Sequence, residues 1–156
     1  KWTHFDWTEP LFGAEPHSPS THYDLVVAFG VIHHIYHSDF RFKFLDWCAQ
    51  HLSPGGHLIV SAWDFGRHEK FRQKAAAPDI VLSQTGIDLK ALGPHDYFLS
   101  FGQQAAPLRY CHWMNDQESS NLIGRLLDAQ KSLKLTARIE DPDDLNRYWV
   151  FTDTQR

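Results

Sequence analysis

The 156-residue sequence predicts an α/β fold in which a mostly parallel sheet ends in an antiparallel hairpin. The parallel part is indicated by two apolar runs, Tyr23–Gly30 and His57–Trp63, which lie on either side of a segment with helical spacing. The hairpin is indicated by two strand-like segments joined by a short turn near the end of the chain. This length suits one domain, so we expect residues 1–156 to form a single unit.

The first half of the chain has the pattern of a strand, a helix and a second strand. Residues 2–7 are typical of a short strand, and Tyr23–Gly30 is typical of a strand buried on both faces. After Ser38, a plausible N-cap, apolar residues recur at helical spacing: Phe40, Phe44, Leu45, Cys48 and Leu52. Pro54-Gly55-Gly56 is predicted to end this helix, and a right-handed crossover then makes the two strands parallel.

Residues 64–110 are too long for a plain connection, so we expect an inserted lid or substrate segment there. Arg67–Lys74 is a helix candidate, and residues 78–99 suggest a short helix and turns. The helix candidate carries a basic run, which either contacts phosphates or forms a solvated helix face: Arg67, His68, Lys70, Arg72 and Lys74.

The C-terminal part predicts one helix and two strands. Asn115 or Asp116 caps a helix whose apolar stripe is Leu122, Ile123, Leu126 and Leu127. Residues 133–139 alternate between apolar and polar side chains, as a half-exposed strand does, and residues 145–152 form the last strand. The short link between these two strands favours an antiparallel hairpin.

Composition narrows the functional classes. The formal net charge of −4 gives no bulk reason to expect nucleic-acid binding. Cys48 and Cys111 lie far apart and form no CxxC motif, which favours a reduced, cytoplasmic setting without a disulfide framework. The sequence has no apolar run of about 18 residues, so we expect no membrane span.

Two strings carry a family resemblance. YDLVVAFGVIHHI and LSPGGHLIVSAW, separated by an amphipathic helix and followed later by a hairpin, resemble the fourth and fifth strands of class I S-adenosylmethionine-dependent methyltransferases. The resemblance implies a Rossmann-like fold, S-adenosylmethionine as cofactor and methyl transfer as the activity. The family's glycine-rich motif is absent from this sequence, so we expect an N-terminally truncated domain whose missing half lies upstream.

A narrower resemblance concerns the substrate. RYCHW and DLNRYWV resemble strings in the tRNA wobble-uridine carboxymethyl methyltransferases, although Cys111 departs from their RYYH-like pattern. This implies a modified uridine in tRNA as substrate and an activator subunit as a partner. Two alternatives stay open, namely a small-molecule methyltransferase and a non-catalytic, methyltransferase-like binding module.

The resemblance also implies a cofactor site. In open α/β sheets ligands bind beyond the carboxyl ends of the strands, which places the end of Tyr23–Gly30 at the site. In the family an acidic residue at the position of Asp6 accepts a hydrogen bond from the adenine amino group; the alternative is an ordinary turn residue. The predicted cofactor-binding residues are Asp6, Trp7, Ala28, Phe29, Gly30 and His34.

The narrower resemblance implies a substrate site at Arg109, Tyr110, His112, Asn146 and Arg147. Arg109 would grip a carboxylate, Tyr110 would stack on a base and His112 would orient the accepting oxygen. The alternative for Tyr110 is a core aromatic side chain, and for Arg109 a surface charge. No residue is assigned as catalytic. The histidine-rich string from His33 to His37 has no carboxylate or cysteine at ligand spacing, which disfavours a metal site.

Overall fold

A computed structural model describes residues 21–100, 107–143 and 145–155. Asp6 and Trp7 lie outside the described residues. In chain order the elements are β1 (Tyr23–Ala28), a 3-10 turn (Ile32–His34), α1 (Ser38–Gln50), β2 (Leu52–Trp63), a 3-10 turn (Phe65–Arg67), α2 (Glu69–Arg72), α3 (Pro78–Thr85), a 3-10 turn (Leu89–Ala91), β3 (Asp96–Ser100), β4 (Leu108–His112), α4 (Asp116–Ala129), β5 (Leu133–Glu140) and β6 (Asn146–Asp153).

The main sheet has the strand order β1-β2-β6-β5. β1 and β2 are parallel and joined through α1, which confirms the predicted strand–helix–strand unit. β6 is antiparallel to both β2 and β5, which confirms the closing hairpin. Within the described residues only the β1–β2 pairing of this sheet is parallel, so a mostly parallel sheet is not confirmed.

The core lies between one face of this sheet and the helices α1 and α4. Phe44 and Leu45 of α1 pack with the buried side chains of β2 and β6, including Leu58 and Trp149. The apolar stripe predicted for α4 is confirmed, because Leu122, Ile123 and Leu126 are buried there and Leu127 packs against them. Of the two predicted caps the structure has Asn115, which forms a capping box with Glu118.

The opposite face of β1 is open. Leu25, Val27 and Phe29 are 56%, 52% and 54% exposed, so the prediction of a strand buried on both faces is wrong for the described structure. Val26 and Ala28, which alternate with them, point into the core. The cause is that α1 and α4 both pack on the core face.

The end of the first long helix also differs from the prediction. α1 ends at Gln50, and Leu52 already pairs with Tyr23. The register then shifts, because Leu25 pairs with His57. The Pro54-Gly55-Gly56 string therefore forms an irregularity within β2 rather than a helix stop. A Cβ at Gly56 would lie 2.8 Å from the Ser53 carbonyl oxygen, so this close approach requires glycine.

The segment 64–110 contains a second sheet that the sequence analysis missed. β3 and β4 form an antiparallel pair, and β4 packs against the 3-10 turn that follows β1. Phe65, Leu99 and Cys111 form a small core beneath this pair. The predicted lid or substrate role of the segment stays a prediction. None of the described helices is long and apolar enough to span a membrane.

Candidate functional site

The carboxyl ends of β1 and β2 meet at one edge of the sheet. Gly30 has a φ of +69° and donates its N–H to the Ser61 hydroxyl oxygen at 2.9 Å, which joins the ends of the two strands. A Cβ at Gly30 would meet no described atom within 4 Å. Ala28 is buried, whereas Phe29 is half-exposed and contacts the Tyr148 ring edge-to-face. Phe29 and Gly30 form an open ledge at the end of β1, where the backbone at Gly30 is accessible to a ligand.

The 3-10 turn after this ledge separates the two histidines. His33 is buried against Trp63, with the ring centroids 5.4 Å apart. Burial, followed by the nearby positive charges of His34 and Arg109, lowers the His33 pKa from 6.5 to about 3. His33 is therefore neutral at physiological pH and has a packing role.

His34 is exposed and held in one orientation. Its Nδ1 lies 2.8 Å from the Tyr110 carbonyl oxygen, which can only accept a hydrogen bond. Nδ1 therefore carries the proton, and Nε2 of the neutral ring holds the lone pair. The arrangement presents a hydrogen-bond acceptor beside the ledge, and it places the predicted residues His34 and Tyr110 in contact.

The predicted residues Tyr110 and His112 share one carboxylate on the neighbouring strand. The Tyr110 hydroxyl donates to Asp96 Oδ1 at 2.5 Å, and His112 Nδ1 donates to the same oxygen at 2.7 Å. Burial of Asp96 acts to raise its pKa, but the hydrogen bonds from His112 and Tyr110 outweigh it and lower the pKa to about 2. Burial and Asp96 together raise the Tyr110 pKa, so this hydroxyl stays protonated.

This polar network continues into α4. His112 Nε2 lies 3.4 Å from one Glu118 oxygen, and His95 Nδ1 lies 3.1 Å from the other. Because Glu118 also completes the capping box, the network fixes the β3–β4 pair to the first turn of α4. The His112 ring is enclosed by Asp96 and Glu118, which supports a positioning role for it.

Arg109 lies on the other side of β4. Its guanidinium carbon is 5.4 Å from the centre of the Trp63 ring at the end of β2. Trp63 also contacts His33, so β4 is joined to the carboxyl ends of both parallel strands. The structure thus brings three of the predicted residues, Arg109, Tyr110 and His34, to the same edge of the sheet.

Asn146 and Arg147 have internal partners. Asn146 Nδ2 donates to Asp141 Oδ2 at 3.0 Å. Arg147 donates to Asp64 Oδ2 from Nε at 2.8 Å and lies 2.7 Å from it through Nη2, and it also pairs with Asp116. The contacts that the structure shows for these two residues are with side chains of the same chain. Their contact with substrate stays a prediction.

The basic run in segment 64–110 is also engaged within the chain. Arg67 pairs with Asp64 at 2.9 Å and lies 3.4 Å from Asp116. Arg72 donates to the Gly66 carbonyl oxygen, and Lys70 and Lys74 lie over the Phe71 ring. These contacts within the chain favour a structural role for the basic run over contact with phosphates.

Several residues of this site were not predicted from the sequence, namely Tyr36, Arg41, Ser61, Trp63 and Asp96. Tyr36 packs edge-on against Tyr110, with ring centroids 5.7 Å apart. Among described residues other than glycine, only His37 has a positive φ, of 66°. This conformation sets the direction in which the loop after β1 enters α1.

The mixed sheet and its helices fit a Rossmann-like class I methyltransferase fold. Residues 3–95 match the family described as "Methyltransferase domain", and the chain belongs to that family. Comparison with curated proteins gives no match. The comparisons do not support the narrower wobble-uridine type.

Solved structures give the same fold. An S-adenosylmethionine-dependent methyltransferase from Clostridium acetobutylicum is 12% identical, with 86% of this chain and 59% of that chain covered at a TM-score of 0.52. One from Methanosarcina mazei is 13% identical, with 89% and 64% covered at a TM-score of 0.53. This chain therefore spans about three-fifths of the length of these two structures. At these identities the likeness shows the fold.

Proposed function

We propose that the protein transfers the methyl group of S-adenosylmethionine to an oxygen or nitrogen of a small molecule, with His34 as the general base. The observation that carries the proposal is the hydrogen bond between His34 Nδ1 and the Tyr110 carbonyl oxygen at 2.8 Å. This bond directs the Nε2 lone pair of an exposed ring to the carboxyl edge of the sheet, where α/β folds bind their ligands.

The ledge at the end of β1 fits the cofactor that the family implies. The open space at Gly30 admits a ligand close to the backbone, and the half-exposed Phe29 ring offers an apolar surface. The Gly30 N–H is engaged by Ser61, so the backbone group available there is the carbonyl oxygen. When bound, S-adenosylmethionine supplies a methyl group that its sulfonium already activates.

The proton balance follows from the histidine pair. As the acceptor atom attacks, its proton moves to His34 Nε2, and the ring becomes an imidazolium. The Tyr110 carbonyl oxygen continues to accept a hydrogen bond from the Nδ1–H group, which stabilises the charged ring. His33, whose ring centroid is 4.2 Å away, stays neutral because its pKa is about 3, so it adds no competing charge.

A small-molecule acceptor is supported over tRNA by the charges of the described surface. The chain has a formal net charge of −4, and nucleic-acid binding depends on lysine and arginine side chains that are available to phosphates. In the predicted basic run, Arg67 is paired with Asp64 and Arg72 is bonded to the Gly66 carbonyl oxygen. A modified uridine in tRNA is the second substrate that the test includes.

The test follows labelled methyl groups from S-adenosylmethionine into two pools, small metabolites and total tRNA. We expect label in the metabolite pool, and His34→Gln should slow its incorporation by about 10²- to 10⁴-fold, the usual contribution of a general base. The matched control is His57→Gln. His57 is an exposed histidine in the middle of β2, away from the carboxyl end of that strand, and it contacts Thr152 on β6.

Each remaining outcome rejects part of the proposal. Label in tRNA alone rejects the small-molecule acceptor. Unchanged incorporation in His34→Gln rejects the assignment of the base. Binding of S-adenosylhomocysteine without label in either pool indicates a binding module rather than an enzyme.

A further inference from the structure

A cleft of about 360 Å³ opens between α1 and α4. This volume is in the range of sites for small ligands. Its walls combine two arginines with the polar side chains of Ser38 and Asn121 and the apolar side chains of Met114 and Leu122. None of the sequence patterns predicted a site between these helices.

Arg41 supplies a buried positive charge to this cleft. It is 6% exposed, and its Nη1 donates to the Ile35 carbonyl oxygen at 2.9 Å, which is a neutral partner. Within the described part of the chain, no ion pair joins Arg41 to a carboxylate. Burying a charge without a counterion is unfavourable, so an anionic ligand in the cleft would compensate it.

Arg125 supplies the second charge, at the mouth of the cleft. It is 46% exposed and lies 2.9 Å from Asp39 through Nη1, and its guanidinium carbon is 4.5 Å from the centre of the Phe42 ring. A guanidinium has five N–H donors, so donors remain for a ligand after the contact with Asp39. Its planar fork of donors matches the two oxygens of a carboxylate.

One wall residue opposes an anion. The Glu118 carboxylate lines the cleft, but its two oxygens face His95 at 3.1 Å and His112 at 3.4 Å. These contacts hold the carboxylate against the β3–β4 pair. Since Arg125 is paired with Asp39 and Glu118 is held by the two histidines, Arg41 is the charged residue of this wall that no carboxylate of the described chain pairs with.

We propose that this cleft binds a carboxylate of the acceptor, whose apolar part packs on Met114 and Leu122. The cleft and the candidate base share Tyr110. Arg41 interacts with the Tyr110 hydroxyl, and the Tyr110 carbonyl oxygen accepts the hydrogen bond from His34. The assignment of the ligand as the acceptor rests on the proposed function. The presence of the anion site itself does not.

The experiment titrates the protein with benzoate, without cofactor, and follows binding by calorimetry and backbone amide NMR. Benzamide, a neutral analogue of the same shape, and inorganic phosphate are the comparison ligands. We expect benzoate to perturb the amides of Ser38 and Asn121 and to bind more tightly than either comparison ligand. Arg125→Gln should weaken benzoate binding about tenfold or more, as the loss of a charge-assisted contact does.

The control variant is Arg138→Gln, which alters an exposed arginine on β5 outside the cleft and should bind benzoate as the wild type does. Arg41→Gln should abolish binding, and Arg125→Gln decides the question if that variant fails to fold. Equal binding of benzamide, or unchanged affinity in Arg125→Gln, overturns the proposal. Tighter binding of phosphate overturns the choice of a carboxylate. Because this experiment measures binding and not methyl transfer, its outcome does not depend on whether the proposed methyltransferase activity is found.

Discussion

Replacing Arg147 by alanine removes the centre of a buried ion cluster that joins β2, β6 and the first turn of α4. Asp64 is 4% exposed and follows directly on β2. Its carboxylate receives two contacts from Arg147, one from Arg67 at 2.9 Å and one from the Trp113 indole N–H at 2.8 Å. In the variant this buried carboxylate keeps only the contacts with Arg67 and Trp113.

The size of the effect follows from those contacts. Two hydrogen bonds to a charged group are lost, each worth about 1.5–3 kcal/mol. Removing one partner of a buried ion pair costs about 3–5 kcal/mol, because the remaining charge stays buried. Arg67 stays within 2.9 Å of Asp64 and partly compensates, which places the expected loss at the lower end. We expect Arg147→Ala to lower the free energy of unfolding by about 3 kcal/mol.

The assay is urea unfolding at neutral pH, followed by tryptophan fluorescence. Arg138→Ala is the matched control, because Arg138 is exposed on the adjacent strand, and it should change the free energy of unfolding by less than about 0.5 kcal/mol. A double variant, Asp64→Asn with Arg147→Met, should recover part of the loss, since it removes the buried charge. A loss below about 1 kcal/mol in Arg147→Ala would show that the Arg147–Asp64 pair contributes no more than an exposed ion pair does.

Two further predictions follow from the pKa directions. The Asp96 pKa is about 2 in the folded protein against an ordinary value of 3.8, so the unfolded chain binds this proton more strongly. The resulting stabilisation, about 2 kcal/mol, is present above about pH 4 and is lost as the pH falls toward 2. Asp96→Asn should lose this part of the acid dependence in urea unfolding, and parallel curves for the two proteins would contradict it. Burial raises the pKa of Cys48 to about 12 and of Cys111 to about 11, so neither thiol should react with Ellman's reagent at about pH 8 until the protein unfolds.

The strand–helix–strand unit and the α4 stripe could be predicted because their signals are local. Apolar runs and helical spacing depend on neighbouring residues, and both are present in the structure. The predicted end of α1 was wrong because the true end depends on a distant contact, the pairing of Leu52 with Tyr23. The exposure of Val27 was missed because an apolar run does not specify which face has a packing partner.

The sequence indicated that the end of β1 lies at the carboxyl edge of the sheet, but it did not indicate the contacts that depend on strand register. Asp96 gains its role only because β3 pairs with β4 in a register that sets it opposite His112. Likewise, the pairing of Arg147 with Asp64, which is 83 residues away in the chain, was not predicted, and its contact with substrate stays a prediction. Neither pairing has a signal in the sequence near the residue concerned.

We propose that the methyltransferase cofactor binds at the carboxyl end of β1. Amide NMR of the labelled protein during titration with S-adenosylhomocysteine tests it most directly, since this method also detects millimolar affinities. We expect saturable perturbations at Phe29, Gly30 and His34 and none at Gly124, which lies on α4. Perturbations absent from the first three amides, or equal in size at Gly124, would contradict it.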